Sequence, residues 1–373
     1  MIMAKRKIYA DNAATTQMSQ AAIDTMVRYL TTDYGNASQP YSFSRSAKDA
    51  IKQARTIIAD CIGAKPEEIY FTSGGSESDN WAIYNAIEQK RNIVTSSIEH
   101  HAILNPCKYA ESKGNVVKYL PVYENGMICP SEIETALTPN SFLSVMMANN
   151  ELGTIEPIRQ YGLMANLRNA IYHTDAVQAM GHIQIDVKDL GVDMLSASGH
   201  KFNGPKGIGF LYVKDGVTLC PLIKGGAQEL GMRAGTENVP SIMAMAIALQ
   251  ENVEQLDKNT CHLQCLEDVF FQKLGKTSSR IKRNGINQLP GLLSLSIEGF
   301  EGEALLHRLD LMGISISTGS ACDSKNTQIS HVLKAVNIPY DQARSTIRIS
   351  LGKYNTIEDV TYIAECLTKI INQ

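Results

Sequence analysis

Between about residues 51 and 217 the chain alternates short apolar runs with polar turns and longer stretches of helical periodicity. The runs at 69–72, 92–97, 116–120, 142–148, 171–175, 194–197 and 209–213 read as buried strands separated by helices. That alternation predicts an α/β fold, a mostly parallel central sheet covered by helices on both faces. Ligands of such sheets bind at the carboxyl ends of the strands. A Gly-rich stretch at 224–235 precedes a long helical region at 240–274, which leads to a second, smaller α/β unit. Its expected strands are 292–297, 314–317 and 346–350, with helices at 302–311 and 329–335.

Composition narrows the function. The 373 residues are 44% hydrophobic and 20% charged, the balance of a soluble globular chain with room for roughly two to three domains. Lys and Arg number 35 against 38 Asp and Glu, a formal charge of -3, so no basic field exists to hold nucleic acid or an anionic membrane directly. A small ligand is expected. No apolar run approaches the roughly 18 to 20 residues of a membrane span, and Lys5, Arg6 and Lys7 interrupt any signal-peptide core, so the cytoplasm is the expected compartment. The eight cysteines (Cys61, Cys107, Cys129, Cys220, Cys261, Cys265, Cys322 and Cys366) read as reduced thiols, mostly core filler. Cys261 and Cys265 beside His262 have metal-like spacing, but i,i+4 cysteines predict one buried face of an amphipathic helix, and no metal site is expected. Met243 to Met245 read as core.

Chemistry concentrates where predicted strands end. Ser73-Gly74-Gly75-Ser76-Glu77-Ser78 joins a strand to a helix start near Asp79, a combination of close-approach glycine, hydroxyls and helix dipole that suits a phosphate. Asp175 sits at the tip of an apolar strand, where a buried carboxylate needs a cationic partner such as a protonated pyridine. A helix cap is the competing role for it. Lys201, in the turn Ser198-Gly199-His200-Lys201-Phe202-Asn203-Gly204-Pro205, is placed to form a Schiff base. Phosphate cradle, acidic strand tip and turn lysine together supply what pyridoxal 5'-phosphate requires.

With Asp11-Asn12-Ala13-Ala14-Thr15-Thr16, Ser97-Ile98-Glu99-His100-His101, Asn149-Asn150-Glu151-Leu152-Gly153, Gly231-Met232-Arg233-Ala234-Gly235-Thr236-Glu237-Asn238 and Ser317-Thr318-Gly319-Ser320-Ala321-Cys322, these segments resemble the cysteine desulfurases. Those are class V pyridoxal-phosphate enzymes of fold type I, and the match runs in one order from near residue 8 to Leu351. The resemblance implies that Lys201 holds the coenzyme as an imine, Asp175 pairs with the ring nitrogen and Gln178 with the ring hydroxyl. It further implies that His100 stacks on the ring and moves protons, and that Gly75, Ser76, Ser198 and His200 hold the phosphate. Thr236 would reach the phosphate of a neighbouring subunit, implying a homodimer. Asn150, Ala13 and Arg348 would hold the substrate, the guanidinium gripping its α-carboxylate through paired N–H bonds. Residues 16–258 would form the large coenzyme-binding domain, and 1–15 with 259–373 a smaller domain carrying the catalytic cysteine.

That cysteine is Cys322, whose thiolate would take sulfur from bound L-cysteine as a persulfide and release L-alanine. Its neighbours Thr318, Gly319, Ser320, Asp323, Ser324, Lys325 and Asn326 are small and polar, and Arg348 follows 26 positions later. That spacing resembles the long-loop group, which feeds iron–sulfur assembly and thiolation through a sulfur-acceptor protein. The chain ends soon after Leu367, short of the tail with which housekeeping members meet their scaffold, so the acceptor stays open. Two competing functions are a selenocysteine lyase or other class V activity on a small amino acid, and a non-catalytic sulfur relay. Gly75 and Ser76 replace the usual Ala and Thr, and Asp323 stands where threonine is typical. A carboxylate beside the nucleophile disfavours the thiolate.

Overall fold

A computed structural model of the chain describes residues 6–318 and 329–373. Its strands are β1 (Ile8–Tyr9), β2 (Ile69–Thr72), β3 (Asn92–Ser96), β4 (Val117–Leu120), β5 (Ser141–Ser144), β6 (Ile171–Asp175), β7 (Met194–Ser198), β8 (Gly209–Val213), β9 (Ile281–Arg283), β10 (Leu292–Ile297), β11 (Ile314–Ser315), β12 (Ser317–Thr318) and β13 (Thr346–Ser350). Seven of them form one sheet in the order β2-β8-β7-β6-β5-β3-β4. Only β8 runs against its neighbours β2 and β7, so all other carboxyl ends share one edge of the sheet. The protein is α/β as the apolar pattern predicts.

Alternating side chains of these strands divide between two helical layers. Val94, Leu143, Leu195 and Phe210 join a core with the helices Arg45–Ile62 and Val239–Glu254. Their chain neighbours Ile93, Phe142, Met194 and Leu211 join another with Trp81, Ile83, Ile103 and Cys107 of the helices Gly75–Glu88 and His101–Ser112. Continuous apolar strands are what a sheet covered on both sides requires. Met243 and Met245 are buried as expected.

The antiparallel sheet β12-β13-β10-β9 has a separate core, built from Leu293, Leu295, Ile297, Ile347 and Ile349 against the helices Leu256–Leu274, Gly302–Leu311 and Ile357–Ile371. β1 pairs in parallel with β11, bringing the first described residues into that same layer. The helical region expected at 240–274 is two helices that meet at Gln255. The expected strand 314–317 is divided into β11 and β12, which pair with different strands.

The cysteines correct one expectation. Cys107 and Cys366 are buried, but Cys61, Cys129 and Cys220 are half-buried, and Cys261 and Cys265 are exposed. The helix carrying the last two buries Leu263, Leu266, Phe270 and Leu274, a stripe that excludes positions 261 and 265. Cys322 and Asp323 lie outside the described residues.

Candidate active site

A cavity of about 370 Å³ opens at the shared carboxyl edge of the large sheet. It is lined by residues that follow five parallel strands: Gly75 and Ser76 after β2, His100 after β3, Met146 and Asn150 after β5, Asp175 at the end of β6, and Ser198, His200 and Lys201 at the end of β7 and beyond. Arg348 of β13 enters from the other sheet, and Ala13 and Ala14 from the amino-terminal segment.

The amino end of the helix Gly75–Glu88 faces this cavity, and the helix begins at Gly75, four residues earlier than expected. Thr72 and Ser78 share a hydroxyl–hydroxyl bond of 2.8 Å that closes the turn. A Cβ on Gly75 would stand 2.5 Å from Val177 Cγ2, and one on Gly209 would stand 2.7 Å from Gly74 Cα. Glycine at 209 lets backbone approach backbone and glycine at 75 lets the helix start pass the Val177 side chain, leaving the first N–H groups of the helix and the Ser76 hydroxyl to hold an anion.

On the cavity floor Asp175 is 5% exposed and accepts a 2.8 Å bond from the Val177 N–H. Burial pushes its carboxyl up to about 6, while that N–H and the Lys201 charge oppose the rise. A buried carboxylate with so little compensation fits a cationic ring nitrogen. His100 accepts from the Ala102 N–H through Nδ1, at 3.1 Å, so in the neutral ring Nε2 carries the proton. Burial and the Lys201 charge hold His100 down to about 4, and the same two causes hold His200 at about 4.

The amino-terminal segment closes the wall. Lys201 Nζ donates to the Ala13 and Ala14 carbonyls, Gln178 Nε2 donates to the Ala13 carbonyl at 2.8 Å, and Thr16 Oγ1 donates to the His200 carbonyl at 2.8 Å. Arg348, 5% exposed, gives one amino group to the Asn150 carbonyl at 2.8 Å and the other to Asp11 Oδ1 at 2.7 Å. Its buried Nε has no partner among the described residues, a donor available to a ligand carboxylate.

All the expected site residues within the described residues line this one cavity except Thr236, which is exposed and outside it. Sequence reasoning did not single out Asp11, Asp79, Met146 or Val177. Asp79 directly follows the quoted glycine–serine motif, and Asp11 opens the amino-terminal motif, so position beside a motif was the available signal.

A parallel sheet with a lysine, a carboxylate and a helix amino end converging at its carboxyl edge defines an enzyme site for a small anionic ligand. The aminotransferase class-V family model matches residues 8–363. Cysteine desulfurase IscS of Dictyoglomus turgidum is 44% identical over 376 residues, covering 99% of this chain and 95% of the relative. Cysteine desulfurase IscS of Methanosarcina thermophila is 43% identical, covering 99% and 93%. Among solved structures, a NifS-like protein superposes with a TM-score of 0.92 at 36% identity, covering 98% of this chain and all of that one. SspA in complex with cysteine superposes with a TM-score of 0.83 at 38% identity, covering 94% and 100%. The chain belongs to the aminotransferase class-V family, among the cysteine desulfurases.

Proposed function

We propose that this protein is a pyridoxal 5'-phosphate-dependent L-cysteine desulfurase that releases L-alanine and passes sulfur, as a persulfide on Cys322, to an acceptor protein or small thiol. The observation that carries this is the convergence of Lys201, Asp175, His100, the Gly75–Ser76 helix end and Arg348 on one cavity. The residues fit the coenzyme: the floor offers a buried carboxylate for a pyridinium, and the amino end of the helix offers its first N–H groups beside the Ser76 hydroxyl for a phosphate. When bound, the coenzyme supplies an electron sink that weakens bonds around the substrate's α- and β-carbons.

Lys201 Nζ is the amine that holds the coenzyme's aldehyde, kept within reach by the Ala13 and Ala14 carbonyls. Gly75, Ser76, Ser198 and His200 hold the phosphate, and Gln178 faces the ring hydroxyl. Asp175 keeps the ring nitrogen positive. Arg348 orients the substrate through its α-carboxylate, with Asn150 beside it. His100, held neutral by burial and the Lys201 charge, carries its proton at Nε2 and presents that N–H as a hydrogen-bond donor to the reacting centre. The Cys322 thiolate attacks the substrate sulfur, forming a sulfur–sulfur bond as the carbon–sulfur bond breaks. The electron pair left on carbon is protonated, which completes alanine.

The reading includes a division into a coenzyme domain at 16–258 and a smaller domain at 1–15 plus 259–373; the separate core of the second sheet supports it, although Leu289, Leu292, Val332, Leu333 and Val336 pack into the large core. It includes a homodimer, supported by Thr236 standing exposed away from its own chain's cavity. It also includes a cytoplasmic setting, and among the described residues no helix is long and apolar enough to cross a membrane. Selenocysteine lyase and a non-catalytic relay are not favoured, since the relatives at 43 to 44% identity are cysteine desulfurases.

Three measurements test the proposal. Borohydride should fix the coenzyme on Lys201. Incubation of the yellow protein with cysteine should add one sulfur to Cys322 by intact mass, and Cys322→Ala should abolish alanine release while keeping the coenzyme's visible absorbance. Alanine release that persists in that variant removes Cys322 from the reaction.

A further inference from the structure

Asp79, on the helix Gly75–Glu88, lines the same cavity yet has no part in the scheme above. It is 1% exposed, and its Oδ1 has no hydrogen-bond partner among the described residues. The groups facing it come from three neighbouring segments. β6 contributes Asp175 and His173, whose Nε2 lies 3.8 Å from Asp79 Oδ1. β7 contributes the Ser196 hydroxyl, and the turn after β3 contributes Glu99.

None of these neighbours is a cation. The ring nitrogens of His173 are already engaged, Nδ1 with Ser144 Oγ and Nε2 with Ser196 Oγ, each at 2.9 Å. Burial holds this imidazole neutral, down to about 3. The charges nearest Asp79 are acids, and two carboxylates facing each other in a dry floor cannot both ionise.

We propose that Asp79 is a positioning residue that remains a carboxylic acid, so that it and Asp175 together carry a single negative charge, held by Asp175. This rests on the reading of Asp175 as the partner of the ring nitrogen. A neutral Asp79 donates its O–H to Ser196 Oγ, the Ser196 hydroxyl donates to His173 Nε2, and His173 Nδ1–H donates to Ser144 Oγ. The chain ties the helix carrying the phosphate cradle to β5, β6 and β7. An ionised Asp79 would reverse each of these bonds, put the imidazole proton on Nε2 and drive the shared proton onto Asp175.

The full chain tests this with Asp79→Asn, which is neutral and near-isosteric, and Asp175→Asn. Infrared difference spectra at neutral pH should show the carbonyl stretch of a protonated carboxylic acid lost in Asp79→Asn. That variant should bind pyridoxal phosphate within about threefold of the parent, with the pH profile of its visible band unchanged. Asp175→Asn should bind at least about tenfold more weakly, as the loss of one partner of a buried ion pair requires. No acid band lost, or an Asp79→Asn protein as weakened as Asp175→Asn, overturns the proposal. Should Asp79→Asn fail to fold, nitrogen-15 spectra of the parent decide it: Nδ1–H on His173 supports the proposal and Nε2–H overturns it. If Asp175→Asn binds the coenzyme normally, the functional reading of Asp175 fails, while the infrared result still fixes the state of Asp79.

Discussion

Arg348 shows what a single side chain contributes when its partners are fixed. Two of its five N–H bonds are committed to Asn150 and Asp11, so the guanidinium plane is set before any ligand arrives, and the buried Nε–H is among the donors left over. Lysine cannot reproduce a planar fork. Arg348→Lys should therefore lower kcat/KM for cysteine by about 10- to 100-fold, the worth of one or two charged hydrogen bonds at roughly 1.5–3 kcal/mol, chiefly through KM. Steady-state alanine release measures this, with the coenzyme's absorbance unchanged. Asp323, outside the described residues, is argued from sequence alone. Its carboxylate adjoins the nucleophile, so Asp323→Thr should turn over faster than the parent at neutral pH, and equal rates across a pH titration would count against it.

At the scale of elements, the start of the helix Gly75–Glu88 depends on how closely it meets the turn after β6. Gly75→Ala places a methyl 2.5 Å from Val177 Cγ2 and should cost about 1–3 kcal/mol by denaturant unfolding. Adding Val177→Ala should recover most of that loss. The sequence resemblance places alanine at this position in relatives, so glycine here is explained by the valine it faces. Most elements were readable because strands buried on both faces leave apolar runs bounded by polar turns, as in β8. The break at Gln255 was not readable, because residues on both sides keep helical periodicity and no proline or glycine marks the joint. The exposure of Cys261 and Cys265 was missed for a related reason. Spacing specifies that two residues share a helix face, but the neighbouring helix Ile357–Ile371 decides which face is covered. The candidate site was legible where motifs end strands, and illegible at Asp79, whose role comes from what surrounds it.

The molecule as a whole stores several ionisable groups in their neutral forms. Burial raises Glu99 to about 8, although Ser96 Oγ and the Met146 N–H bond its carboxyl. A folded value above the unfolded one means that the folded chain holds the extra proton. Its stabilising contribution is complete below about 4.5 and is lost as pH rises through about 8. Glu99→Gln should flatten the fall in thermal stability between about pH 4.5 and about 8. Buried His100 and His200 act oppositely, losing stability as pH falls from about 6.5 towards 4. The pairing of Ile8 with Ile314, and of Asp11 with Arg348, has a consequence for biosynthesis. Ile8 and Asp11 lack these partners until some three hundred more residues have been translated, a wait on the order of 15 to 60 seconds at roughly 5–20 residues per second. Until then the nascent polypeptide carries its lysine turn and acidic strand tip without the segment that walls them in, and the vitamin-derived group meets a finished pocket only after translation has ended.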